Sequence, residues 1–261
     1  MELGLKGKQL VVTAASKGLG LAVAEKLAAE GANLVLCSRR GEVIEAIAHR
    51  LAEQYGITAY GFEADVASPI AIQNLVEFVV QRFGHIDGLL CNAGGPVSGR
   101  FLELDDAAWE QAFQNNLMSV IRLIRGFYPL LSTGGGRVLT IASTSIRVPI
   151  PGLILSNVFR AGIAGLMKTL ASELASDGIL VNTICPGKIA TDRLEQLDQV
   201  RAAAEGITVA ELQQDAAKDI PLGRYGKPEE LADFAAYLLS ARNSYMTGSV
   251  YNFDGGLIKS I

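Results

Sequence analysis

Residues 9–32, QLVVTAASKGLGLAVAEKLAAEGA, decide the fold. QLVVT is a short β-branched run, TAASKGLG at 13–20 is a glycine-bearing turn, and LAVAEKLAAEGA has helical period, so the segment reads as strand, turn and helix. Gly18 and Gly20 let the backbone approach a pyrophosphate, and the free N–H groups and dipole of the helix start favour its charge. A glycine turn alone is weak evidence for a nucleotide, and the strand–turn–helix context strengthens it. Candidate contacts in this turn are Thr13, Ser16, Lys17, Gly18, Leu19 and Gly20.

Outward from that unit the pattern repeats. NLVLC precedes a helical stretch at 42–54, TAYGF one at 68–84, DGLLCN one at 105–131 and RVLTIA one at 152–176. ILVNTI then precedes a broken helical stretch to about 240, and SVYNF closes the series. Strands alternating with helices, most without polar alternation, imply a parallel sheet covered on both faces. With no linker, repeat or low-complexity tract, residues 1–261 are expected to form one domain. Net charge of −4 without a dense basic block gives no footprint for nucleic acid or an anionic membrane. There is no apolar run of about 18 residues and no signal-peptide pattern, so the expectation is a cytoplasmic protein. Cys37, Cys91 and Cys185 each lie in or beside an apolar run and are expected to be buried, reduced thiols.

In such a sheet, ligands bind beyond the carboxyl ends of the strands. After the second strand stand Ser38, Arg39 and Arg40, where an NAD-preferring site would usually place a carboxylate. A hydroxyl and guanidinium groups suit a 2′-phosphate, with Lys17 as a further cation, so NADP(H) is the expected cofactor; the plain alternative is two solvated arginines. After the third strand, Asp65 and Val66 stand where an adenine could be held, although Asp65 could equally cap the helix beginning near Ser68 and Pro69. Asn92, Ala93 and Gly94 form a small-residue turn against which a ribose could pack, and Pro186, Gly187, Ile189 and Thr191 follow the sixth strand.

Together these strand ends resemble the short-chain dehydrogenase/reductase family over essentially the whole chain. Thr13 to Gly20 is similar to the family's Thr-Gly-x-x-x-Gly-x-Gly, with Ala14 in place of the first glycine. Asp65–Val66, Asn92–Ala93–Gly94, Pro186–Gly187, and Thr247, Gly248, Asp254, Gly255 and Gly256 match further family signatures. The resemblance implies an α/β, Rossmann-like doubly wound sheet of seven parallel strands with helices on both faces, a nicotinamide cofactor, and a homotetramer or homodimer. It also implies a tetrad of Asn, Ser, Tyr and Lys. Asn116 and Ser143 match the first two, whereas the tyrosine position holds Ser156 and the lysine position holds Arg160.

A phenol starts near pKa 10 and can be tuned towards neutrality; a serine hydroxyl is a much weaker acid and is shorter by about a ring's width. Arg160 keeps a positive charge one turn from Ser156 and could still bind ribose hydroxyls or an anionic substrate group. Three readings follow. The protein reduces a carbonyl with Ser143, Ser156 or a water held by Asn116 and Arg160 as proton source; it binds NADP without hydride transfer, as a regulatory or partner subunit; or Arg160 and Lys188 clamp an anion for other chemistry. Ser145 and Arg147 lie near the site in sequence, and Asn116 could equally be bridging helix and sheet. Residues 192–220 are expected to form a lid over a small-molecule substrate. His49 and His85 form no metal or triad pattern with the cysteines.

Overall fold

The computed structural model describes residues 2–259. Seven strands, β1 (Gln9–Thr13), β2 (Asn33–Ser38), β3 (Ala59–Glu63), β4 (Gly88–Cys91), β5 (Arg137–Ile141), β6 (Leu180–Pro186) and β7 (Val250–Phe253), form one parallel sheet. Their spatial order is β3-β2-β1-β4-β5-β6-β7. The order reverses between β1 and β4, and that switch point is where an open α/β sheet leaves a crevice at its carboxyl edge.

Nine α-helices connect these strands among the described residues: α1 (Gly18–Ala29), α2 (Gly41–Tyr55), α3 (Pro69–Arg82), α4 (Asp106–Phe113), α5 (Ser119–Leu131), α6 (Ile154–Glu173), α7 (Asp192–Glu205), α8 (Val209–Lys218) and α9 (Pro228–Leu239). The apolar strand runs are explained by burial on two sides. Leu10, Val12, Leu34, Leu36, Leu90 and Leu139 pack in a core with residues of α1, α2 and α9. The intervening Val11, Val35, Cys37, Leu89, Cys91 and Val138 pack in a second core with α3, α5 and α6. Successive side chains point to opposite faces, so both parities must be apolar when both faces are covered.

Two stretches read as simpler in the sequence are divided. The helical pattern at 105–131 is two helices joined by a π-turn at Gln114–Met118. The segment at 192–220 is α7 and α8, separated at Gly206, which takes φ 68, and restarted by a capping box in which Thr208 and Glu211 bond each other's backbone N–H.

Candidate active site

The glycine turn leaves β1 and enters α1 with the conformation a phosphate cradle needs. Ala14 has φ 49 and Gly18 φ 56; Ala14 is the one non-glycine residue with positive φ among the described residues. It stands where the family pattern has glycine, and it adopts the left-handed backbone at a steric cost rather than avoiding it. A Cβ on Gly20 would strike the Ala14 carbonyl oxygen and come within 2.8 Å of Asn92 Nδ2, so only glycine fits there. Thr13 ties the turn to the end of β4: its Oγ1 lies 2.7 Å from the Asn92 carbonyl oxygen and accepts from Asn92 N–H at 2.9 Å. The backbone geometry therefore fits a dinucleotide pyrophosphate at the start of α1.

Lys17, Arg39 and Arg40 are exposed at this mouth. Ser38 is not: it is 6% exposed, and its hydroxyl contacts both the N–H and the carbonyl oxygen of Arg40 at 3.2 Å. The hydroxyl thus braces the turn that carries the two exposed arginines. Glu63, paired in register with Ser38, packs its carboxylate against Gly41 in the first turn of α2, where the helix dipole favours a negative charge. Asp65 does not cap α3; its Oδ1 accepts from Ala67 N–H at 3.0 Å, while Ser68 caps α3 through Ala71 N–H and Pro69 takes the first helical position. Val66 is buried beneath it.

The tetrad positions converge at the carboxyl ends of β4 and β5. Asn116 sits in the π-turn, fully buried, and its Nδ2 donates to the Gly94 carbonyl at 2.9 Å; Asn115 donates to the same oxygen at 3.0 Å. Asn116 thus bridges its helix to the loop after β4 rather than to a strand of the sheet, and its Oδ1 is left without a partner. Ser143 follows β5 and accepts from Ser145 N–H at 3.1 Å, which leaves its own proton available. Ser145 and Ser156 are buried, with their hydroxyl oxygens 3.3 Å apart. Arg147 is exposed.

Arg160 is 6% exposed and donates from Nη1 to the Ile141 carbonyl at 2.7 Å, while its Nε has no partner. Burial pulls its pKa down to about 10. Its guanidinium thus closes off the end of β5 rather than standing in open solvent. Lys188 is engaged elsewhere: its Nζ lies 5.4 Å from the centre of the Tyr225 ring, and burial lowers its pKa. The sequence's third reading paired these two cations, and the structure gives them separate surroundings.

Pro186 ends β6, and Ile189 is buried below Gly226. Thr191 caps α7, accepting from Leu194 N–H at 3.3 Å. Two contacts of the α7–α8 segment had no signal in the sequence. Asp198 of α7, 3% exposed, accepts from Gln213 Nε2 and Tyr225 Oη, each at 3.2 Å, and so joins α7, α8 and the segment before α9. Arg193 donates from Nη2 to the Pro96 carbonyl at 2.9 Å, across 97 positions of sequence.

Residues 13–258 match the family model described as enoyl-(acyl carrier protein) reductase. The chain is 33% identical over 258 residues to the 3-oxoacyl-[acyl-carrier-protein] reductase of Aquifex aeolicus, covering 98% of this chain and 100% of that protein. It is similar in structure to the L-sorbose reductase of Gluconobacter frateurii complexed with NADPH and L-sorbose, with TM-score 0.96, 35% identity and 100% of both chains covered. It also resembles an NADPH-bound short chain oxidoreductase of Pseudomonas aeruginosa PAO1 that contains an atypical catalytic center, with TM-score 0.88, 30% identity and 97% and 98% of the two chains covered.

Proposed function

The chain belongs to the short-chain dehydrogenase/reductase family, and from that premise we propose that it is an NADP(H)-dependent oxidoreductase. It reduces a carbonyl, or oxidises the corresponding alcohol, with a proton source other than the family's tyrosine. The observation that carries the cofactor assignment is the end of β2, where Arg39 and Arg40 stand exposed opposite Lys17 beyond the glycine turn. The NADPH-bound relatives support the same cofactor. NADPH, when bound, supplies the hydride.

The residues of the chain supply the rest. Asp65, Val66, Asn92, Ala93 and Gly94 line the adenosine side, and Pro186, Gly187, Ile189 and Thr191 line the nicotinamide side. Ser143, whose hydroxyl proton is uncommitted, orients the substrate carbonyl. The carbonyl oxygen would take its proton from the Ser156 hydroxyl, which regains it from the Ser145 hydroxyl 3.3 Å away, with solvent water as the final source. Arg160, charged at neutral pH, favours the developing negative oxygen. The structural likeness to a short chain oxidoreductase containing an atypical catalytic center supports the reading of a non-standard donor.

A second reading, an NADP-binding subunit without turnover, is favoured by one observation: Ser156 and Arg160 are both buried and both turned to partners within the fold. The test is NADPH oxidation against ketones, keto sugars and 3-oxoacyl thioesters. Turnover that falls about 10²–10⁴-fold in Ser143→Ala supports the reductase. NADPH binding without consumption of any carbonyl overturns it in favour of the binding subunit. If only the acid is missing, Ser156→Tyr with Arg160→Lys raises generic carbonyl reduction.

A further inference from the structure

The lid begins directly over the glycine turn. The methyl of Thr191, the residue that caps α7, lies 3.8 Å from where a Cβ on Gly18 would stand. Two residues on, Arg193 reaches the opposite wall of the crevice. Its Nη2 donates to the Pro96 carbonyl at 2.9 Å, and its guanidinium lies along Gly95, with Nε 3.7 Å from the place of an absent Cβ. The side chain therefore spans from the lid to the loop after β4, over the gap that begins at the amino end of α1.

Two features indicate that this charge serves more than one backbone carbonyl. A cation in the first turn of a 14-residue helix meets the positive end of the helix dipole, an unfavourable place for it. Asp192 and Glu195 flank Arg193 in sequence, yet among the described residues no carboxylate lies within 4.0 Å of its guanidinium. Four of its five N–H donors remain uncommitted once Pro96 takes one. An anion held at the glycine turn, whose Gly18 lies against Thr191 two residues before Arg193, would supply the partner that the chain does not.

We infer that Arg193, carried in the first turn of α7, is a ligand for the pyrophosphate of the dinucleotide. The inference rests on the NADP(H) reading above. Lys17 on the α1 side and Arg193 on the lid side then flank the two phosphates, with Arg39 and Arg40 left to the 2′-phosphate. Arg193 therefore serves NADPH and NADH alike.

The experiment is calorimetric titration of the full chain and of Arg193→Gln and Arg193→Lys with NADPH, NADH and adenosine 2′-monophosphate, which has no pyrophosphate. Arg193 is exposed, so neither substitution removes a core contact. In Arg193→Gln, NADPH and NADH are expected to weaken by the same factor, about 10- to 100-fold, as for loss of a charged hydrogen bond. Adenosine 2′-monophosphate should stay within about twofold, and Arg193→Lys should recover most of the loss. Unchanged NADPH affinity in Arg193→Gln overturns the inference; so does an equal loss for all three ligands, which marks a role in lid structure alone. If the unsubstituted protein fails to bind NADPH, the cofactor reading falls first and takes this inference with it.

Discussion

Replacing Ala14 with glycine should stabilise the protein. Ala14 holds φ 49, and an L-residue in that region costs about 1–2 kcal/mol that glycine does not pay. Against this, glycine gives the unfolded chain more freedom, worth about 0.4–1 kcal/mol. The net is a gain of about 0.5–1 kcal/mol, or a rise in Tm of about 1–4 °C for a domain of this size. The neighbour supplies a control of opposite sign. Ala15 is fully buried and does not have a positive φ, so Ala15→Gly gives up about 0.8 kcal/mol for its methyl and about 0.5–1 kcal/mol in backbone entropy. Urea denaturation reads both, as shifts of the midpoint at constant slope. Equal or lower stability in Ala14→Gly, or the same sign for both alanines, would refute the reasoning that the turn is strained at that residue.

Two further predictions follow from charge and burial. Burial pushes the Cys37 and Cys91 thiols up to about 12 and Cys185 up to about 11, so all three stay protonated in the folded chain while unfolded thiols ionise from about pH 8.5–9. Stability should therefore fall as pH rises past about 9, by up to about 1.4 kcal/mol per pH unit for each thiol; urea midpoints between pH 8 and 10.5 measure it, and Cys91→Ala should lessen the slope. Arg39→Gln with Arg40→Gln should weaken NADPH about 10- to 100-fold and leave NADH within about threefold in calorimetry; equal losses would show that these arginines do not meet the 2′-phosphate.

The sheet was legible because two-sided burial leaves its mark in the inner strands: Leu10, Val11 and Val12 are all apolar and buried, as both covered faces require. The glycine turn was legible because its geometry excludes other residues, as at Gly20. Contacts between distant segments were less so. Nothing local marks Arg193 for Pro96 or Asp198 for Tyr225, since each contact depends on how α7 packs against segments distant in sequence. Ser38 shows a subtler limit. Its residue type suits a phosphate, but the sequence carries no sign that its hydroxyl also braces the turn two residues on. The division of 105–131 is hidden for another reason: Gln114–Met118 carries no proline or glycine, and the π-turn is stabilised by amides of Asn115 and Asn116 that bond a loop elsewhere in the chain.

That π-turn amounts to one residue more than a regular helix needs, which makes it a matter of phase. An α-helix turns about 100° per residue, and a single extra residue sets the face of α4 against that of α5 by that angle. Deleting one residue from 114–118 would let the two helices fuse while α5 kept its apolar face on the sheet. Asn116 would then rotate away from Gly94, and α4 would swing from its place beside α6. The position of one polar side chain and the direction of a whole helix are thus encoded by the same surplus residue.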